Sequence, residues 1–511
     1  MNRIFISGNY ILVLKDGATV ALEYPCGKSV YSENENEITI FEDGRGTLII
    51  PKSEIDNDLW GDENFNAITE LDILTFLRSN TGFNLPLSSG GSSINYATVI
   101  WVDNVNGNDG TAIAGRFDKP HLTIQSALTM ANAQLPTSSN RANVIVRSGS
   151  FANAGNITPV NFCDVYCEQV LFTGYFFMSD RFVGSSVDFN WYGNAKWNLS
   201  MSSLAFRWQY ASNILIEGDS FINLGAISLA FNVTVGTSDI TYNFNSIEST
   251  QTLGSAFGFT WRNNCNATLN VKNYIKVNQE SHDIRANHSG TITVNCPRNI
   301  MTPLNVYGGN FKNILSSSNS SATSYFVVNG DLISETAYLG GAQSMILVWS
   351  SSQCQVTING NIYGNDSVGL WGASIGVGRI VHNGDLFSDI NTIITQGNGL
   401  VVVKNGTIRN INTSGNSIYM YGGTLYLMNC SLYRSMVDGT MIGLDAGGIT
   451  NLKVINCVSK SEGLLGEFVT STVAKSCQFT NVVANKPLNA NVTNQLAQGL
   501  TIEPFLEVPR F

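Results

Sequence analysis

The chain has 511 residues, 43% of them hydrophobic and only 13% charged. This apolar content excludes disorder, and the length exceeds one ordinary globular core. The net charge of −10 is local: twelve acids and two bases fall between Glu33 and Asp72, leaving 26 of each sign elsewhere. A body with balanced charge excludes a stripe for nucleic acid, and the acidic stretch reads as a solvated face.

No signal peptide is expected in the first residues, MNRIFISGNYILVL, because Gly8 and Asn9 break the apolar run and no small-residue cleavage site follows. No run of 18 apolar residues exists, so no membrane insertion is expected. Residues 1–84 read as a small mixed α/β domain. NYILVLKDG and TVALEYP form two strands around Asp16-Gly17, and EITIFEDGRGTLIIP repeats that form. In NAITELDILTFLRSN, Ile68, Leu71, Leu74 and Leu77 recur every third residue and predict a helix. Residues 85–95, LPLSSGGSSIN, have the composition of a flexible linker.

The segment 96–135 reads as an opening strand, VIWVDN, a loop of Gly, Asn and Asp, and then a helix after Lys119-Pro120. Leu122, Ile124, Ala127, Leu128 and Ala131 give that helix one apolar face.

From residue 136 to 485 a pattern recurs: apolar, any, apolar, then Asn with a small residue. It appears as VVNGDL, TINGNI, VHNGDL, VKNGTI, LMNCSL and VINCVS, with asparagines at 329, 359, 383, 405, 429 and 456. Short strands with a turn at a fixed place and a period in the twenties describe coils of a parallel β-helix. Stacked coils lie about 4.8 Å apart and superpose equivalent residues. Gly330, Gly360, Gly384 and Gly406 would then form one column continued by Cys430 and Cys457, and the asparagines would form an amide ladder. A solenoid leaves the apolar end of its first coil open, so a cap is needed there, and the helix after Pro120 suits it. Residues 486–511 are apolar without the repeat and read as a C-terminal cap. The nine cysteines have no zinc spacing and read as reduced, buried and small. No metal or other cofactor is expected.

VIWVDNVNGND followed by DKPHLTIQSAL resembles the opening segment of the pectate-lyase-like right-handed β-helix in bacteriophage tail spikes and tail fibres. The matching residues are Val102, Asp103, Asn106 to Asp109, Gly110, Gly115, Lys119, Pro120, Thr123 to Gln125, Ala127 and Leu128. The resemblance implies a mainly β chain with a right-handed parallel β-helix body, assembled as a homotrimer in a virion. It implies attachment to other virion proteins through residues 1–84 and a body that meets a host cell-surface polysaccharide or receptor. A structural fibre, spike or head fibre without catalysis is the leading expectation. A tail-spike depolymerase, either glycoside hydrolase or polysaccharide lyase, and a bacterial surface adhesin are the alternatives, the last disfavoured by the missing signal.

Glycan cleavage needs two carboxylates at a set separation. Asp331 and Asp385 occupy equivalent turn positions two coils apart, near 9.6 Å by the coil spacing, although acids are also common in turns. His382 precedes that turn and reads as structural. A lyase would need clustered aspartates and a base on adjacent coils. Binding needs less, and Phe189 to Tyr210 is rich in rings: Trp191, Trp197 and Trp208, with Arg207 beside them, are the candidate ligand-binding residues.

Overall fold

The computed structural model describes residues 99–503 apart from short loop segments, with some strands described by backbone alone, and the backbone of strands between Asn2 and Gly61. The chain is mainly β, with 62% strand and 4% helix, and its body is a parallel β-solenoid. It divides into two units.

The first unit comprises Met1–Ala154, Thr158–Leu171 and Asp188–Lys196. Both expected hairpins are present: Tyr10–Leu14 pairs antiparallel with Leu22–Pro25, and Glu37–Glu42 with Gly46–Pro51. The first gains two strands the pattern did not signal, Asn2–Ser7 and, parallel to it, Ile55–Gly61, and the second gains one, Ser29–Glu33. The expected helix over residues 66–80 and the linker lie outside the described residues.

The winding of this unit opens with Ile100–Val102, which pairs in parallel with Ala142–Val146. Cys163–Cys167 and Asp188–Gly193 follow in register. The helix α1, Ile124–Ala133, buries Ile124, Ala127, Leu128 and Ala131 against the first two of these strands. Leu122 precedes the helix and is exposed, so the apolar face is one residue shorter than the sequence pattern.

Two carboxylates hold the glycine-rich loop in place. Asp103 accepts the backbone N–H groups of Val105 (2.9 Å) and Asn106 (3.0 Å) and a bond from Arg147 (3.1 Å). Burial alone would raise its pKa, but those N–H donors, the Asn106 amide and Arg147 together hold it below the ordinary value. Asp109 accepts from the N–H of Leu122 (2.8 Å), the N–H of Thr123 (3.0 Å) and the Thr123 hydroxyl (2.8 Å). Thr123 then caps α1 by accepting from Ser126 N–H. Such a cap contributes about 1 kcal/mol. Gly107 is required where loop and strand meet, since a Cβ there would stand 2.2 Å from the His121 carbonyl oxygen.

The second unit comprises Gly155–Ile157, Phe172–Val187 and Trp197–Phe511. One wall is a 13-stranded sheet running from Gly155–Ile157 to Val469–Ser471 in sequence order, parallel at each step. The other wall carries the repeats. In Cys265–Val277, buried and outward residues alternate, break off over Lys272, Asn273 and Tyr274, and resume at Ile275. From Gln355 on, an Asn-centred turn falls at that break.

Apolar columns line the interior. Ile292, Phe326, Val356, Ile380, Val401, Leu425 and Leu452 are paired coil by coil, and none is more than 1% exposed. Each such side chain contributes about 1.5–3 kcal/mol by leaving water, and the chain can bury them only by stacking coils. All eight cysteines among the described residues are buried thiols, none of them in a disulfide. The winding also continues beyond residue 485, because Val492–Asn494 and Leu500–Ile502 pair in parallel with Lys475–Ala484.

Candidate functional site

The asparagine ladder organises the outer surface of the second unit. Each amide Nδ2 donates to the amide oxygen one coil earlier: Asn405 to Asn383 (2.9 Å), Asn429 to Asn405 (3.0 Å) and Asn456 to Asn429 (3.1 Å). Asn359 and Asn329 are joined in the same way, and Asn359 and Asn383 are register partners. The ladder extends upstream to Asn243 through Asn270 and Asn295, and downstream to Asn481. Asn405, Asn429, Asn456 and Asn481 all have φ between 51° and 60°, a region Asn tolerates better than most residues.

The small-residue column also forms. A Cβ on Gly360 would meet the Gly330 carbonyl oxygen at 2.2 Å, and one on Gly406 would meet that of Gly384 at 1.9 Å. Cys430 and Cys457 continue it, with Cys430 N–H 3.3 Å from Cys457 Sγ.

Beyond each ladder asparagine, two outward columns run side by side. The column two residues on contains Asp331, Asn361, Asp385 and Thr407. Asn361 N–H donates to Asp331 Oδ1 (2.8 Å), Asp385 N–H to Asn361 Oδ1 (3.0 Å) and Thr407 N–H to Asp385 Oδ1 (2.7 Å). The two candidate carboxylates therefore stand two coils apart with Asn361 between them, and one oxygen of each closes a backbone bond.

The column four residues on contains Tyr363, Phe387, Arg409, Tyr433 and Lys460, paired in register. Tyr363 is 38% exposed and stacks on Phe387 at 5.2 Å between ring centroids. Arg409 lies over the Tyr433 ring at 5.7 Å. Burial, then the nearby Asp331 and Asp385 charges, raise the Tyr363 pKa above its ordinary value. Sequence reasoning missed this stripe, although its signal is the fixed offset from each asparagine.

The aromatic candidates lie elsewhere. Trp191, Trp197 and Trp208 are all 0% exposed, so their faces are closed to a ligand. Trp191 sits in the core of the first unit, beside Phe189. In the second unit, Trp197 packs against Phe172 at 5.6 Å and Phe206 at 6.0 Å, and Trp208 Nε1 donates to the Tyr242 hydroxyl at 2.8 Å. A ring is the largest apolar surface available to fill a wide interior, and this stretch spends its rings there. Arg207 remains partly exposed, but the three tryptophans and Arg207 do not form a platform. His382 is fully buried. Its Nε2 donates to the Gly360 carbonyl at 2.9 Å, and burial pushes its pKa down to about 4.

A base between carboxylates on adjacent coils does occur, in the first unit. Arg141 Nε donates to Asp164 (2.8 Å), Nη1 to Asp188 (2.7 Å), and Nη2 to the Cys163 carbonyl (3.3 Å). Asn190 adds a bond to Asp164 at 2.7 Å. Burial raises the Asp164 pKa against the pull of Arg141. All three Arg141 nitrogens are engaged, so the cluster ties strand starts together. Among the described residues, no group of three His, Cys, Asp or Glu side chains is placed to hold a metal.

Fold and surface together define a parallel β-solenoid with a ladder-ordered polar and aromatic outer stripe. No family model, curated protein or solved structure matches the chain.

Proposed function

We propose that the chain is a structural protein of a virion, a tail fibre, spike or head fibre. It holds the particle through residues 1–84, as a small mixed α/β domain, and its solenoid meets a host cell-surface glycan or receptor. The observation that carries this reading is the opening segment. Asp103, Asn106, Gly107, Asp109 and Thr123, all part of the resemblance, each have a defined job in building the loop and the capped helix over the first coil. The continuous outer stripe supports attachment, because a solenoid offers one repeating surface to a repeating ligand. The winding is right-handed, following the hand that parallel crossovers adopt, and the assembled form is a homotrimer.

Mass photometry of the purified chain tests the assembly: a trimer is expected, and a monomer at micromolar concentration would remove the fibre reading. Incubation with host capsule or lipopolysaccharide tests the chemistry. Retention without new reducing ends supports an adhesin, whereas new ends that vanish in Asp331→Asn or Asp385→Asn would establish a depolymerase instead.

A further inference from the structure

We propose that the outer face between Leu400 and Ala484 binds a linear acidic polysaccharide carrying one carboxylate or sulfate on every second sugar. This rests on the reading above that the solenoid binds a glycan, and it adds the ligand's charge, its repeat and its position.

The first observation is charge segregation. The strands Leu400–Lys404, Thr407–Asn410, Gly423–Met428, Ser431–Arg434, Thr450–Ser461 and Lys475–Ala484 contain six bases and no acid. Outside residues 33–72 the chain carries 26 acids and 26 bases, so these strands depart from an even balance. Arg434 is buried and Lys475 donates to the Gly448 carbonyl. Lys404, Arg409, Lys453 and Lys460 are each partly exposed.

The second is spacing. Lys404 and Arg409 lie on one coil, and Lys453 and Lys460 lie two coils on, with the coil of Tyr426 and Tyr433 between them. Two coils separate the cationic bands by about 10 Å. A disaccharide of an extended polysaccharide has comparable length, so an acid on alternate sugars meets a cation at each band. Carboxylates and sulfates accept short, charge-assisted bonds from such groups.

The third is what the rings do. Arg409 lies over Tyr433 at 5.7 Å and Lys453 over Tyr426 at 5.2 Å. Those ring faces hold the cations in place and are closed to bases, whereas single-stranded nucleic acid is bound by stacking bases on open rings. The ladder residues Asn405, Asn429 and Asn456 are exposed beside them, within reach of sugar hydroxyls.

The experiment titrates the full chain with three polymers: hyaluronan, which has one carboxylate per disaccharide, its carboxyl-reduced form, and dextran. A single-stranded oligonucleotide and anionic vesicles are the comparison ligands. Hyaluronan is expected to bind at least about tenfold more tightly than either neutral polymer, with affinity falling as salt rises. Arg409→Gln with Lys460→Gln is expected to remove that advantage at unchanged thermal stability. Equal binding of hyaluronan and its reduced form would overturn the acidic assignment and leave glycan attachment standing. Binding of none of the three would remove both. An unchanged hyaluronan affinity in the folded double variant would overturn the position, and tighter binding of the oligonucleotide or vesicles would overturn the ligand class.

Discussion

Asn429 Nδ2 donates to Asn405 Oδ1 at 3.0 Å, and both residues hold positive φ, 55° and 60°. One residue type thus supplies the turn conformation and the link to the coil before it. Replacing Asn429 with Ala removes its bonds to Asn405 and Asn456 and places a Cβ residue in a region it disfavours. A loss of about 2 kcal/mol is expected, read as a lower urea midpoint. Asn429→Gly keeps the conformation and should lose about half as much.

Glycine at 406 is a matter of space. An added Cβ would lie 1.9 Å from the Gly384 carbonyl oxygen, so neighbouring coils must separate. Gly406→Ala is expected to cost about 2–3 kcal/mol. Gly447→Ala, whose Cβ would have only Asp445 Oδ2 within reach at 3.8 Å, should stay within about 0.5 kcal/mol. Thermal unfolding of the two variants side by side checks this.

The buried histidines make the fold acid-sensitive. Burial lowers His382 from 6.5 to about 4, and His282 and His288 shift the same way, to about 3 and about 4. A group with a depressed folded pKa is protonated first in the unfolded chain. Its contribution is complete above pH 6.5 and is lost as pH falls towards 4. For His382 the span is on the order of 3 kcal/mol. Urea midpoints between pH 7 and pH 4.5 should fall less steeply in His382→Gln than in the parent, and equal slopes would contradict this assignment.

Asp109 fastens the first helix from outside it. Asp109→Ala frees the N–H groups of Leu122 and Thr123, with an expected cost of about 1–2 kcal/mol. Hydrogen exchange should quicken in α1 before it quickens in the strands around Val401.

Much of this architecture is legible in the residues because coil stacking turns sequence spacing into contact. The six repeat asparagines, the Gly column and the cap residues Ile124, Ala127, Leu128 and Ala131 are placed as the pattern implies. The rings were not legible. A strand alternates between interior and surface, but nothing local says which side of Trp197 or Trp208 faces the core, and the wide interior took them. The stripe of Tyr363, Phe387, Arg409, Tyr433 and Lys460 escaped notice for a different reason. Its members differ in type, and only their common offset of four from a ladder asparagine unites them. Balanced charge over the body likewise hid a local separation of signs that appears once coils are superposed.

The ladder tolerates unequal steps. Asn383 and Asn405 are 22 residues apart, and Asn295 and Asn329 are 34 apart, yet both pairs close the same amide bond. Connecting segments can therefore gain or lose residues while the pitch stays constant, and whole windings can be duplicated or excised without retuning the remainder. Length becomes an adjustable quantity, inherited in discrete increments and independent of whatever the outer surface recognises.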